Sequence, residues 1–324
     1  MDWKAFYRAE LASQAGRAAV EDAVARHPRG DDALTAVLRG RGVVSFPHTT
    51  IVDSADPLAR VAQSVLATGV ARVVALGVLH GGTLPEPHRA DVAEFARGSP
   101  RADAIFRRLG GAFVESGGVS TPWGAVPAGP VPAATDVVRG DASVLAGEFS
   151  LDLFLAVLAA AAAARRVAPP PVTRVFVSLT RDPSGSFATA ARIADGVRGL
   201  AGDGTAVVAT GDLVHYGHSY TPPAEMSAMP ADVPSLERRF RARVAEMLAL
   251  GLARRDEDAY RMASSELRSD QRNLAPVLAE FLGPGAAAEI RSFRLSDYSS
   301  INGVAPPCVV ASALVAFRRG GAAR

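Results

Sequence analysis

Apolar and polar residues follow one another along this chain in two distinct rhythms. Short β-branched runs at Val43–Phe46, Arg72–Leu76, Arg174–Leu179, Thr205–Thr210 and Val309–Phe317 are bounded by Gly, Pro or polar residues and predict sheet strands. Between them, Pro57–Thr68, Pro87–Ala96, Leu151–Arg166, Phe187–Leu200, Ser235–Leu250 and Leu274–Leu282 carry apolar residues at helical spacing. Alternation of the two predicts an α/β fold, a central mainly parallel or mixed sheet flanked by helices. No Ser-rich linker, long charge run or internal repeat divides the chain, so residues 1–324 are read as a single domain.

Two stretches break the rhythm. Gly110 to Asp141, rich in Gly, Pro and small residues, predicts irregular loops around a short strand pair. Tyr220 to Pro234 is long enough to be a lid or a site wall, or else a plain surface loop. The most apolar stretch, Leu151 to Ala164, contains Asp152 and falls short of the roughly 20 residues of a membrane span, so it reads as a buried Ala-rich helix.

Composition removes several function classes. Of 324 residues, 48% are hydrophobic and 21% charged, enough to bury a large core. Lys+Arg number 35 against 33 Asp+Glu, a small excess spread along the chain that implies neither a nucleic-acid patch nor a membrane surface. Lys4 is the only lysine and sits at an end expected to be mobile, which argues against Schiff-base and P-loop chemistry. Cys308 is the only cysteine, so no internal disulfide or cysteine zinc cluster is expected, and its apolar strand makes it a packing residue. With no apolar segment behind Met1 to act as a signal, a cytoplasmic address is expected.

Candidate chemistry lies with the histidines. His48 follows the VVSFP strand, His80 the RVVALGVL strand and His215 the TAVVATGDLV strand. The carboxyl ends of strands form the ligand crevice of open α/β sheets, so three imidazoles are expected to converge there. Two imidazoles and a carboxylate leave coordination positions open, which suits mononuclear non-haem iron and also catalytic zinc. Asp212, on the same strand exit as His215, is either a ligand or an orienting partner. Glu148 and Asp152 are explained by a helix start without function, while Asp270 reads either as an N-cap or as the carboxylate of the site. His27 and His88 are read as solvated helix residues. G-x-S-x-G, G-x-G-x-x-G and H-E-x-x-H are absent.

At these motifs the chain resembles the Memo-like family, called AmmeMemoRadiSam protein B in bacteria. FPHTTIVDSA resembles its P-H-A-G-Y-x-Y-S-G segment, VALGVLHGG its I-L-G-P-S-H-H, STPWGAVPAG its T-P-L-G-x-V-x-V-D, and GEFSLDLFLAVL its E-H-S-L-E-x-x-L-P-F-L. ATGDLVHYGHSY resembles S-S-D-x-x-H-W-G, and Tyr298 and Ser299 echo N-Y-A-x-S. The order holds through most of the chain, with the region from Ser219 to Ser269 aligning poorly.

The resemblance implies the fold of the class III extradiol ring-cleaving dioxygenases, the LigB superfamily. It assigns His48 and His80 as metal ligands and His215 as the pocket acid/base, with Asp212 beside it. The third ligand of animal Memo proteins is a cysteine, and Asp270 stands at the similar place here. The implied cofactor is a divalent ion, Fe(II) ahead of Zn or Cu. The implied partners are O2 and a small chelating substrate such as an aromatic diol, in an oxidoreductase. A non-catalytic metal- or partner-binding protein and a zinc hydrolase are the alternatives. Two departures stand against the family pattern: Gly81 replaces the second histidine of S-H-H, and Phe149 the histidine of E-H-S.

Overall fold

In the computed structural model, which describes residues 1–133, 135–230 and 232–320, the β-branched runs do form strands. In chain order these are β1 (Val43–Phe46), β2 (Arg72–Val78), β3 (Ala112–Glu115), β4 (Val119–Thr121), β5 (Gly124–Val126) and β6 (Val138–Arg139), followed by β7 (Val172–Val177), β8 (Thr205–Thr210), β9 (His215–Gly217), β10 (Ala287–Asp297) and β11 (Cys308–Arg318). The main sheet runs β10-β11-β1-β8-β2-β7-β3-β6, with β9 pairing β11 and β4-β5 forming a separate hairpin.

The four central strands β1, β8, β2 and β7 are mutually parallel. Antiparallel pairs bound them, β1 with β11 on one side and β7 with β3 on the other, so the sheet of this single α/β domain is mixed. Buried side chains alternate between its faces as a period of two requires. Val44, Phe46, Val73 and Ala75 pack on one face with the helices Ile51–Thr68 and Asp152–Arg165, while Val43, Val74 and Leu76 pack on the other with Ala188–Leu200 and Leu274–Leu282. Each such Val or Leu contributes about 1.5–3 kcal/mol by leaving water.

Several elements differ from the sequence reading. Lys4 is not on a mobile end: it lies in the helix Trp3–Ala12, and its Nζ donates to the Ala146 carbonyl at 3.1 Å. This helix and the next two, Gln14–Arg26 and Asp32–Arg39, are short and weakly apolar, and gain their stability from packing rather than from pattern. The helix expected to start at Pro57 starts at Ile51. A proline in the seventh place leaves the Asp53 carbonyl without its helical donor, and Ser312 Oγ approaches that carbonyl at 3.4 Å. β10, Ala287–Asp297, escaped notice because its charged and apolar residues give no clean alternation at a sheet edge. His27 and His88 are half-buried rather than solvated, His27 bonding Asp56 at 2.9 Å.

Candidate metal centre

Three neighbouring parallel strands set the geometry. His48 comes two residues after β1, Asp212 two after β8 and His80 two after β2, all at the carboxyl edge of the sheet. His215 opens β9 one short turn beyond Asp212. Asp270 arrives from elsewhere, at the start of a 3-10 turn, Asp270–Arg272. Its backbone N–H donates to the Asp212 carbonyl at 3.0 Å, which fastens this turn to the strand exit. Gln271 packs so closely that a Cβ on Gly211 would meet its Cγ at 2.4 Å, and Gly211 has a φ of +156°, so only glycine fits there.

The side chains of all five residues line one cavity of about 620 Å³. Asp270 Oδ2 lies 3.4 Å from His48 Nε2, 3.4 Å from His80 Nε2 and 3.7 Å from His215 Nε2. The other ring nitrogens fix the tautomers. Thr210 Oγ1 spends its proton on the Phe46 carbonyl at 3.0 Å, so at 3.0 Å it accepts from His48 Nδ1. His215 Nδ1 stands 2.8 Å from the Arg268 carbonyl, which can only accept. Arg268 itself is held at a φ of 50°, a left-handed conformation costing about 1 kcal/mol or more for a side-chain-bearing residue.

His80 Nδ1 stands 3.1 Å from Glu148 Oε1. Burial works to raise the Glu148 carboxyl, but the His80 charge and donors from His80, Phe149 and Ser150 overcome it and bring it to about 2. It is therefore a carboxylate and accepts. Each Nδ1 thus has an acceptor, and three Nε2 atoms face a carboxylate oxygen.

That oxygen, Asp270 Oδ2, is buried without a hydrogen bond of acceptable geometry. Ligand atoms sharing one ion at about 2.1 Å stand roughly 3.0–3.4 Å apart, the spacing from this oxygen to the His48 and His80 Nε2 atoms. His48, His80 and Asp270 offer ligand atoms all within 4.8 Å of one another, as do Asp212, His215 and Asp270. The donors fit a divalent cation. The same charges favour a proton on His80: although burial opposes it, Glu148 and Asp270 raise the imidazole well above its usual value. Asp270 moves the opposite way, well below the carboxylate range, because the His215 and His80 charges outweigh the effect of its burial.

The five residues singled out from the sequence, His48, His80, Asp212, His215 and Asp270, thus stand together in one cavity. The sequence reading missed others. Glu148 does not serve a helix start: the helix begins at Asp152, and Glu148 holds His80 by ring and backbone. Asp270 is no N-cap either, since Ser269 caps that turn by accepting from Gln271 N at 3.1 Å. Phe149 lies flat on the His80 ring, centroids 4.6 Å apart at 13°. Trp3 and Tyr7 of the first helix complete an aromatic wall with Tyr298, whose hydroxyl accepts from Thr50 N at 2.9 Å. Tyr220, at the start of the second irregular stretch, also lines the cavity, so that stretch begins as a site wall. The only hint of Glu148's role was its place in the GEFSL segment.

No family model matches the chain, and a search of curated proteins finds no match. Among the described residues no helix is long and apolar enough to cross a membrane.

Proposed function

We propose that this chain is a Memo-like, mononuclear non-haem iron(II) dioxygenase acting on a catechol-like or other chelating small molecule. The observation that carries the reading is the convergence of the His48, His80 and His215 Nε2 atoms on Asp270 Oδ2, with every Nδ1 facing an acceptor. A ferrous ion held by His48, His80 and Asp270 would supply open coordination positions for a diol and for dioxygen, and the same donors accept zinc or copper.

The chain's own residues do the rest. His215 lies outside the His48–His80–Asp270 set, so its Nε2 is the group to take a proton from a substrate hydroxyl and to return it. Asp212 offers an oxygen within 4.8 Å of a His215 ring nitrogen and offsets the charge of the ring when it is protonated. Asp212 Oδ1 also accepts the His48 backbone N–H at 3.0 Å, fixing the loop that presents the ligand. Phe149, Trp3 and Tyr7 exclude water from one side of the cavity.

A second reading, a metal-binding protein without turnover, is favoured by Gly81 and Phe149, which line the cavity where the Memo pattern has histidines. Metal analysis of anaerobically purified protein followed by oxygen uptake with a catechol panel separates the two. One iron per chain with uptake supports the enzyme. Iron without uptake across the panel leaves the second reading, and failure to bind any divalent ion overturns both.

A further inference from the structure

Three arginines line the metal cavity, Arg89, Arg268 and Arg272. Two are neutralised by the protein: Arg89 Nε binds Glu86 at 2.9 Å and Arg268 Nη2 binds Glu225 at 2.6 Å. Arg272 has no carboxylate within ion-pair distance among the described residues. Its one contact is from Nη1 to the Ser269 carbonyl at 3.1 Å, which steadies the guanidinium and leaves Nε and Nη2 uncommitted.

The next residue adds a second donor. Asn273 Oδ1 lies 3.3 Å from the Thr180 backbone N–H, and because that group can only donate, the amide is fixed with its oxygen toward Thr180. Asn273 Nδ2 then has no acceptor among the described residues, and Asn273 lines the same cavity. A half-buried guanidinium without a carboxylate partner and an amide NH2 without an acceptor among the described residues, adjacent in sequence, stand two and three residues from Asp270. Donors placed this way lack a partner that only accepts.

We infer that Arg272, with Asn273, binds an oxyanion group carried by the ligand that reaches the metal centre. The substrate class is then a chelating small molecule bearing a carboxylate or a phosphate-type group. Arg suits this task because its planar fork meets two oxygens at once, whereas an amide or lysine offers no such fork. The inference rests on the metal-site reading above and deepens it. Arg272 acts as a specificity residue, since nothing requires it to touch the reacting atoms.

The test compares three probes on the iron-loaded protein without oxygen: catechol, 3,4-dihydroxybenzoate and 3,4-dihydroxyphenylphosphonate, titrated by calorimetry. The expected result is that at least one anionic probe binds about 10-fold or more tightly than catechol, the stronger of the two naming the oxyanion. In Arg272→Met that advantage should vanish while catechol affinity and iron content stay unchanged, and Arg272→Lys should recover part of it. Equal binding of all three probes to the wild type, or an advantage that survives in Arg272→Met, overturns the inference and leaves the metal site standing. If the protein takes up no iron, or the iron-loaded protein binds none of the probes, the underlying reading fails and this one with it.

Discussion

Glu148 grips His80 twice, accepting from its Nδ1 at 3.1 Å through Oε1 and from its backbone N–H at 2.8 Å through Oε2. An anionic acceptor behind an imidazole makes Nε2 a better electron donor and locks the ring's orientation. Glu148→Gln removes the charge and keeps the shape. It should weaken divalent-metal affinity by about 10- to 100-fold, read by competition with a chromophoric chelator. Unchanged affinity would mean that the Glu148–His80 pair serves the fold alone.

The two candidate histidine ligands, His48 and His80, make a stronger demand. His48→Ala or His80→Ala leaves too few donors to hold an ion tightly, so each should lower affinity by about 100-fold or more and abolish the one ion per chain that elemental analysis is expected to give for the wild type. His48 is nearly inaccessible, 3% exposed, and loses one hydrogen bond to Thr210, so its variant should also give up about 1 kcal/mol of metal-free stability. Stoichiometric metal retained in both variants would remove them from the ligand set.

A pH effect should come from the roof of the cavity. Glu10, on the helix that carries Trp3 and Tyr7, accepts Ile51 N at 3.2 Å; burial, with the Asp53 charge adding, lifts its carboxyl from 4.5 to about 7. A raised folded-state value contributes stability that is fully present below 4.5 and is lost as pH rises to about 7. Glu10→Gln keeps an acceptor for Ile51 and does not titrate. Its melting temperature relative to the wild type should therefore climb between pH 5 and pH 8. A gap that stays flat or narrows in favour of the wild type would show that Glu10 ionises normally.

The parts of this architecture that obey local rules were legible in the chain. β1 and β8 coincide with their β-branched runs, and the rule that ligands gather at strand carboxyl ends brought His48, His80 and His215 to one edge of the sheet without a structure. What local pattern cannot carry is contact between distant segments. Glu148 reads as a helix-start acid until the 68-residue separation from His80 is closed by the sheet. Trp3 and Tyr7 lie on a helix of ordinary composition, and only packing against Phe149 and Tyr298 reveals them as a wall. Likewise the unpaired state of Arg272 is a statement about what is not beside it, which no sequence window contains.

Asp270 and His215 face each other at 3.7 Å, yet the two should fail differently when removed. Asp270 supplies the negative charge nearest to all three Nε2 atoms and is held far below the carboxylate range, so it stays ionised at neutral pH and offsets a cation. Asp270→Ala should weaken metal binding by about 10-fold or more. His215 is fastened by the Arg268 carbonyl and belongs with Asp212 and Asp270 rather than with the His48–His80 set. His215→Ala should keep near-normal metal content and slow turnover by roughly 10²- to 10⁴-fold, the range for a lost proton-transfer group. Measuring metal content and oxygen uptake on the same preparations makes the comparison a double test. Full metal affinity in Asp270→Ala would pass the ligand role to Asp212, whose carboxylate offers a ligand atom beside His215. Metal lost from His215→Ala would make His215 a ligand and the site a three-histidine one, which shifts the preferred ion toward zinc.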